Sequence, residues 1–76
     1  MADKETIFNV DSFSSRLLMK RVVKKRISMR EAAEQIGISA ATLSRLENKN
    51  IPDVYTYYAC CKWLGMDMKD FFHKTT

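Results

Sequence analysis

The sequence predicts an all-α fold, a compact bundle of five short helices. Two observations carry this expectation: apolar residues recur at helical spacing, and capping residues stand ahead of those stretches, with Gly37 and Gly65, the only two glycines, behind two of them. Seventy-six residues make one domain, near the lower limit at which an apolar core holds without disulfides or metal, so a buried active site is not expected.

Residues 1–11 show no sustained period and read as a flexible or extended N-terminal arm, with Ile7, Phe8 and Val10 able to cover the core. The domain proper then spans residues 12–76. Asp11 or Ser12 has capping character, and a first helix is expected from about Ser12 to Lys25. Phe13, Leu17, Leu18 and Val22 supply its inner face, while Met19 and Val23 widen the apolar sector and are candidates for a subunit contact. Ile27 plugs the core after the turn.

A second helix begins at Ser28, whose N-cap chemistry is joined by Glu31 in capping-box spacing. Ala32, Ala33 and Ile36 form its buried side; Gly37 stops it, and Ser39 caps a third helix. In that third helix Leu43 and Leu46 point inward with Ile38. The outward rows are Ala40, Ser44, Asn48 and Ala41, Arg45, which lack any large apolar residue and suit close approach to a groove of DNA. In the segment Asn48–Pro52, Asn48 or Asn50 is expected to take left-handed geometry.

Pro52 in a first turn and Asp53 beside the dipole's positive end open a fourth helix reaching about Leu64, with Val54, Tyr57, Tyr58, Cys61 and Leu64 inward and Gly65 as the stop. A fifth helix, about Asp67 to Phe72, drops Met68, Phe71 or Phe72 onto the bundle. Tyr55, Tyr57, Tyr58, Trp63, Phe71 and Phe72 concentrate aromatic weight here, more than one small core needs, which points to self-association.

The run from Ser28 to Asn48 resembles the helix-turn-helix of Cro and phage repressors, in the lambda-repressor-like family. Ala33 matches the small position between the helices, Gly37 the turn, Leu43 and Leu46 the core, followed by Pro52-Asp53-Val54, Trp63-Leu64-Gly65-Met66 and the segment to Phe72. The resemblance covers roughly residues 13 to 72. It departs at Lys25-Arg26-Ile27, where the family commonly carries a glycine; a left-handed non-glycine residue there costs about 1 kcal/mol.

The resemblance implies that the third helix enters the major groove. Ser39, Ala40, Ala41, Ser44 and Arg45 are then groove-facing, with Thr42 at their margin, and Arg45 is the first choice for reading guanine. Ser28, Arg30, Asn48, Lys49 and Asn50 are expected to hold phosphates, with Lys24, Lys25 and Arg26 as further candidates. Glu47 is read as the intramolecular partner of a basic residue.

Charge supports this reading. The net charge is +4, and between Ser12 and Arg30 every charged residue is basic: Arg16, Lys20, Arg21, Lys24, Lys25, Arg26 and Arg30. Such a field fits a polyanion. The adjacent Cys60 and Cys61 read as helix core residues of a reducing compartment, and neither they nor His73 has metal-ligand spacing. No catalytic constellation, metal or cofactor is expected, and no stretch is long enough to span a bilayer, so the protein is read as a cytoplasmic non-enzyme. The expected function is sequence-specific binding of double-stranded DNA, as a repressor on an inverted-repeat operator, with a homodimer formed through the C-terminal aromatic region. The alternative is an antitoxin or other helix-turn-helix module that holds a partner protein.

Overall fold

The computed structural model describes residues 6–74; the part of the expected arm at residues 1–5 lies outside the described residues. The chain forms strand β1 (Thr6–Phe8), helix α1 (Val10–Met19) with a π-helical extension (Lys20–Lys25), helices α2 (Met29–Ile36), α3 (Ala40–Glu47) and α4 (Val54–Leu64), a 3₁₀ turn (Met68–Phe71) and strand β2 (Phe72–Lys74).

The fold is therefore four helices with a 3₁₀ turn and a small sheet, not five helices. Asp67 and Asp70 make reciprocal capping bonds around the single turn, which puts Phe71 into the core at 1% exposure. The chain then extends, and β2 pairs antiparallel with β1 in the register Phe8 with Phe72 and Ile7 with His73. The physical reason is local: with Phe71 buried, Phe72 must point the other way, where it meets the Phe8 ring at 5.3 Å.

The first helix also starts earlier than expected, because Asn9 rather than Asp11 or Ser12 caps it: the Ser12 amide donates to Asn9 Oδ1 at 3.1 Å. The backbone N–H of Asn9 donates to the Phe71 carbonyl at 2.6 Å, tying the start of α1 to the end of the bundle. Phe13 and Leu17 are fully buried, whereas Leu18 and Val22 stand half in solvent with Met19 and Val23. The wider π-helical turn carries Val22 away from the bundle, and no residue of Lys20–Lys25 is buried.

Arg26 closes that extension in the left-handed region, φ 54°, so the missing glycine is replaced by a strained residue and Ile27 turns onto the core. After α3 the left-handed residue is Lys49, φ 69°, not Asn48 or Asn50. Asn48 is still bonded to the helix end through its amide and through Nδ2 to the Ser44 carbonyl, so the reversal falls one residue later. The Lys49 amide reaches the Leu46 carbonyl and the Asn50 amide that of Arg45, the paired bonds of a Schellman ending.

Pro52 precedes the cap of α4 instead of opening its first turn. Asp53 is the cap, accepting from the Thr56 amide at 2.8 Å, and this hydrogen bond holds its carboxyl below the usual aspartate value. The inner face of α4 is Tyr57, Cys60 and Cys61, with Leu64 packed against it as expected, whereas Val54 and Tyr58 are exposed. Burial pushes the Cys60 thiol up to about 12 and raises Cys61, so both are un-ionised core residues. Phe8, Phe13, Tyr57, Phe71 and Phe72 form one aromatic cluster with centroid separations of 5.3 to 6.2 Å, mostly edge-on.

Candidate nucleic-acid interface

Helices α2 and α3 pack on each other through Ala32, Ala33 and Ile36 on one side and Leu43 and Leu46 on the other, all buried, with Ile38 in the turn against them. Gly37, φ 94°, makes the turn between them, and its amide and that of Ile38 both donate to the Ala33 carbonyl. Ser28 and Ser39 cap the two helices through the amides of Glu31 and Thr42, at 3.1 and 3.0 Å. Each of these local choices matches the expectation from sequence.

Two contacts not assigned from sequence fix α3 from behind. Ser14, 4% exposed, donates its hydroxyl to the Leu46 carbonyl at 2.6 Å, tying α3 to α1. Glu47 accepts a two-pronged pair from Arg21, Nε at 2.7 Å and Nη2 at 2.9 Å. The expectation that Glu47 serves an internal cation is met, and Arg21, counted in the basic field, is thereby neutralised. The interhelix partner lies 26 positions away, which no spacing rule reaches. Ser14 did leave a signal: a small polar residue beside the apolar row of Phe13 and Leu17.

With its back fastened, α3 turns Ser39, Ala40, Ala41 and Arg45 to solvent, and Thr42 and Ser44 half so. A polar chain runs along this face. Ser39 Oγ donates to Thr42 Oγ1 at 2.7 Å, and Arg45 Nη2 donates to the same Thr42 oxygen at 3.3 Å. The guanidinium is thus held toward the start of α3 while its other N–H groups stay free for an acceptor.

Of the expected phosphate-binding residues, Ser28 and Arg30 stand exposed at the start of α2, and Asn48, Lys49 and Asn50 are exposed past the end of α3. The two asparagines already spend side-chain donors on the helix end, Asn48 on Ser44 and Asn50 on the Arg45 carbonyl at 2.9 Å. Lys49 Nζ sits 3.2 Å from Asp11 Oδ1 in a solvent-exposed pair. Lys20 and Lys24 are directed elsewhere: they line a groove beside Leu64 and Met66, at the far end of α4. Lys25 and Arg26 are exposed at the turn.

Two short helices crossing at a glycine turn, the first capped by serine and the second exposing a slender arginine-bearing face, define a helix-turn-helix domain. A helix-turn-helix family model of the Cro and C1 type matches residues 17–71, and the chain belongs to that lambda-repressor-like family. No curated protein and no solved structure matches it. Membership makes the chain a DNA-binding helix-turn-helix regulator in the general sense of the family. Among the described residues no helix is long and apolar enough to cross a membrane.

Proposed function

We propose that this domain is a sequence-specific binder of double-stranded DNA that acts in the cytoplasm as a repressor, docking as a two-fold dimer on an inverted repeat. The observation that carries this reading is the outer face of α3: small side chains around one arginine that Thr42 holds in place. In the major groove Arg45 donates a bidentate pair to guanine, Ala40 and Ala41 meet thymine methyls, and Ser39, Thr42 and Ser44 offer hydroxyls at the margin. Ser28 and Arg30 on one side and Asn48, Lys49 and Asn50 on the other take the flanking phosphates. Lys49 gives up Asp11 to do so, at little cost, because an exposed pair contributes only about 0.5 kcal/mol.

The dimer reading rests on an apolar depression of about 450 Å³ bordered by Ile51, Val54, Met68 and Phe72, with Phe8 and Tyr57 at its floor. Ile51 and Pro52 also border the small cleft beside Thr42 and Arg45, so this face adjoins the end of α3. In the proposed two-fold dimer the two α3 helices serve half-sites about 34 Å apart, one helical turn of DNA.

Selection from a random DNA pool should return an inverted repeat. Against that site Arg45→Ala removes the preference at one base pair per half-site, a loss of about 2 kcal/mol confined to the preferred sequence. Lys49→Ala weakens every sequence alike and lowers the salt slope by about one. Equal losses on all sequences for Arg45→Ala would take it out of base reading. Val54→Glu should yield a monomer in sedimentation; if the wild type is already monomeric and binds one half-site tightly, the dimer is wrong.

A further inference from the structure

The first helix and its π-helical extension carry a second surface that the DNA reading leaves unused. Arg16, Lys20 and Lys24 line one side of a groove of about 370 Å³, and Met19, Leu64 and Met66 supply its apolar lining. Ser12 marks its other end, so the groove follows the outer side of α1 for roughly 18 Å, about three helical turns. Among the described residues none of the three cations has a carboxylate within ion-pair distance; the acids that do pair serve Arg21 and Lys49.

Lys20 shows the consequence. Its ammonium lies 4.8 Å from the centre of the Trp63 ring and donates to the Trp63 carbonyl. Desolvation lowers its pKa, and the charges of Lys25 and Lys24 lower it further, as expected of neighbouring cations with no carboxylate beside them. Beside it in the groove, Met19 is about half exposed. Apart from Arg21, which Glu47 holds, this six-residue π-helical segment lays no side chain against the core, and π-turns are frequent at functional sites.

The groove is placed away from α3. The start of α4 borders the cleft at Arg45, whereas Leu64 and Met66 lie at its other end, roughly 15 Å along the axis. The groove is thus lined at the end of α4 remote from Arg45, and a phosphate backbone has no apolar groups to bury against Met19, Leu64 and Met66. A membrane surface favours a convex apolar ridge rather than a concave groove with its cations along one wall.

We propose that this groove docks an acidic amphipathic helix of a partner protein, its apolar row seated between α1 and the end of α4 and its carboxylates paired with Arg16, Lys20 and Lys24. Charge complementarity selects this occupant: cations about one turn apart on α1 match carboxylates at i and i+4 on a helix lying alongside. The partner sits on the domain while α3 is free to hold DNA, so this inference stands whether or not the operator reading holds.

Trp63 is the only tryptophan and touches Lys20 at the groove, so its fluorescence reports occupancy. The probe is a synthetic, tryptophan-free helical peptide with glutamates at every fourth position beside a row of leucines. The full chain should give a saturable Trp63 signal, weakened about tenfold when the glutamates become glutamines and again when the leucines become serines. Arg16→Gln and Met19→Ser, both at exposed positions lining the groove, should each weaken peptide binding by about fivefold with an unchanged circular dichroism spectrum and nearly unchanged duplex binding. The proposal is overturned if the glutamine peptide binds equally well, or if the two variants lose duplex binding in step with peptide binding. It is equally overturned if phosphatidylglycerol vesicles saturate the signal and the peptide does not.

Discussion

Arg21 and Glu47 show how one pair decides what a residue is available for. By composition Arg21 belongs to the basic field, but Glu47, its side chain 8% exposed, accepts both prongs of its guanidinium and removes it from any role with phosphate. The hydrogen bond to Glu47 raises the Arg21 pKa, so the guanidinium stays charged. Glu47→Ala leaves a half-buried guanidinium unpaired and should cost about 2 kcal/mol in a urea melt, between the values for exposed and fully buried pairs. Replacing both partners by methionine and leucine should recover most of that loss; if it does not, the pair is more than a fastening. Arg45, on the same helix, has only Thr42 as a side-chain partner, which leaves its remaining N–H groups free for the base contact proposed above.

At the scale of elements, caps account for most of the boundaries. Ser28, Ser39 and Asp53 each accept an amide three residues on, and Gly37 and Gly65 close their helices in the left-handed region. The Asp53 bond makes α4 sensitive to acid. Its folded pKa is depressed below the ordinary 3.8, so the stabilisation is fully present above that value and is lost as pH falls through the lower, folded one. Asp53→Asn should therefore lower the melting temperature little near neutrality and remove part of the acid-induced decline seen in the wild type below about pH 4. An unchanged acid limb would assign that decline to other carboxylates. The π-helical extension is the element least legible from sequence, since its apolar residues obey ordinary helical spacing and its widening shows only in coordinates.

On the scale of the whole molecule, the sheet between the two ends of the domain is the main departure from an all-helical expectation. Phe8 bridges it to the core, touching Phe13, Tyr57 and Phe72 at ring separations of 5.3 to 5.6 Å. Phe8→Ala should destabilise the fold by about 2 kcal/mol, less than a fully buried phenylalanine, by opening the aromatic cluster and loosening the Asn9 to Phe71 bond. A loss within a few tenths of a kcal/mol, measured by denaturant unfolding, would mean that the strand is an ornament on a helical core.

The helix-turn-helix itself was readable in the chain because its signals are local. Ser28 with Glu31, Gly37, Ser39, and the inward pairs Ala32–Ala33 and Leu43–Leu46 act within one or two turns, where spacing dictates geometry. What the tertiary structure alone decided is which residues are already committed: Arg21 to Glu47, Ser14 to Leu46, and Lys20 to Trp63. The same holds for the pairing of residues 6–8 with 72–74. Each of these joins positions far apart in sequence, and such contacts depend on how the elements are packed rather than on any local propensity. Sequence therefore determined the face that the domain presents, and packing determined which of its charges remain free to act.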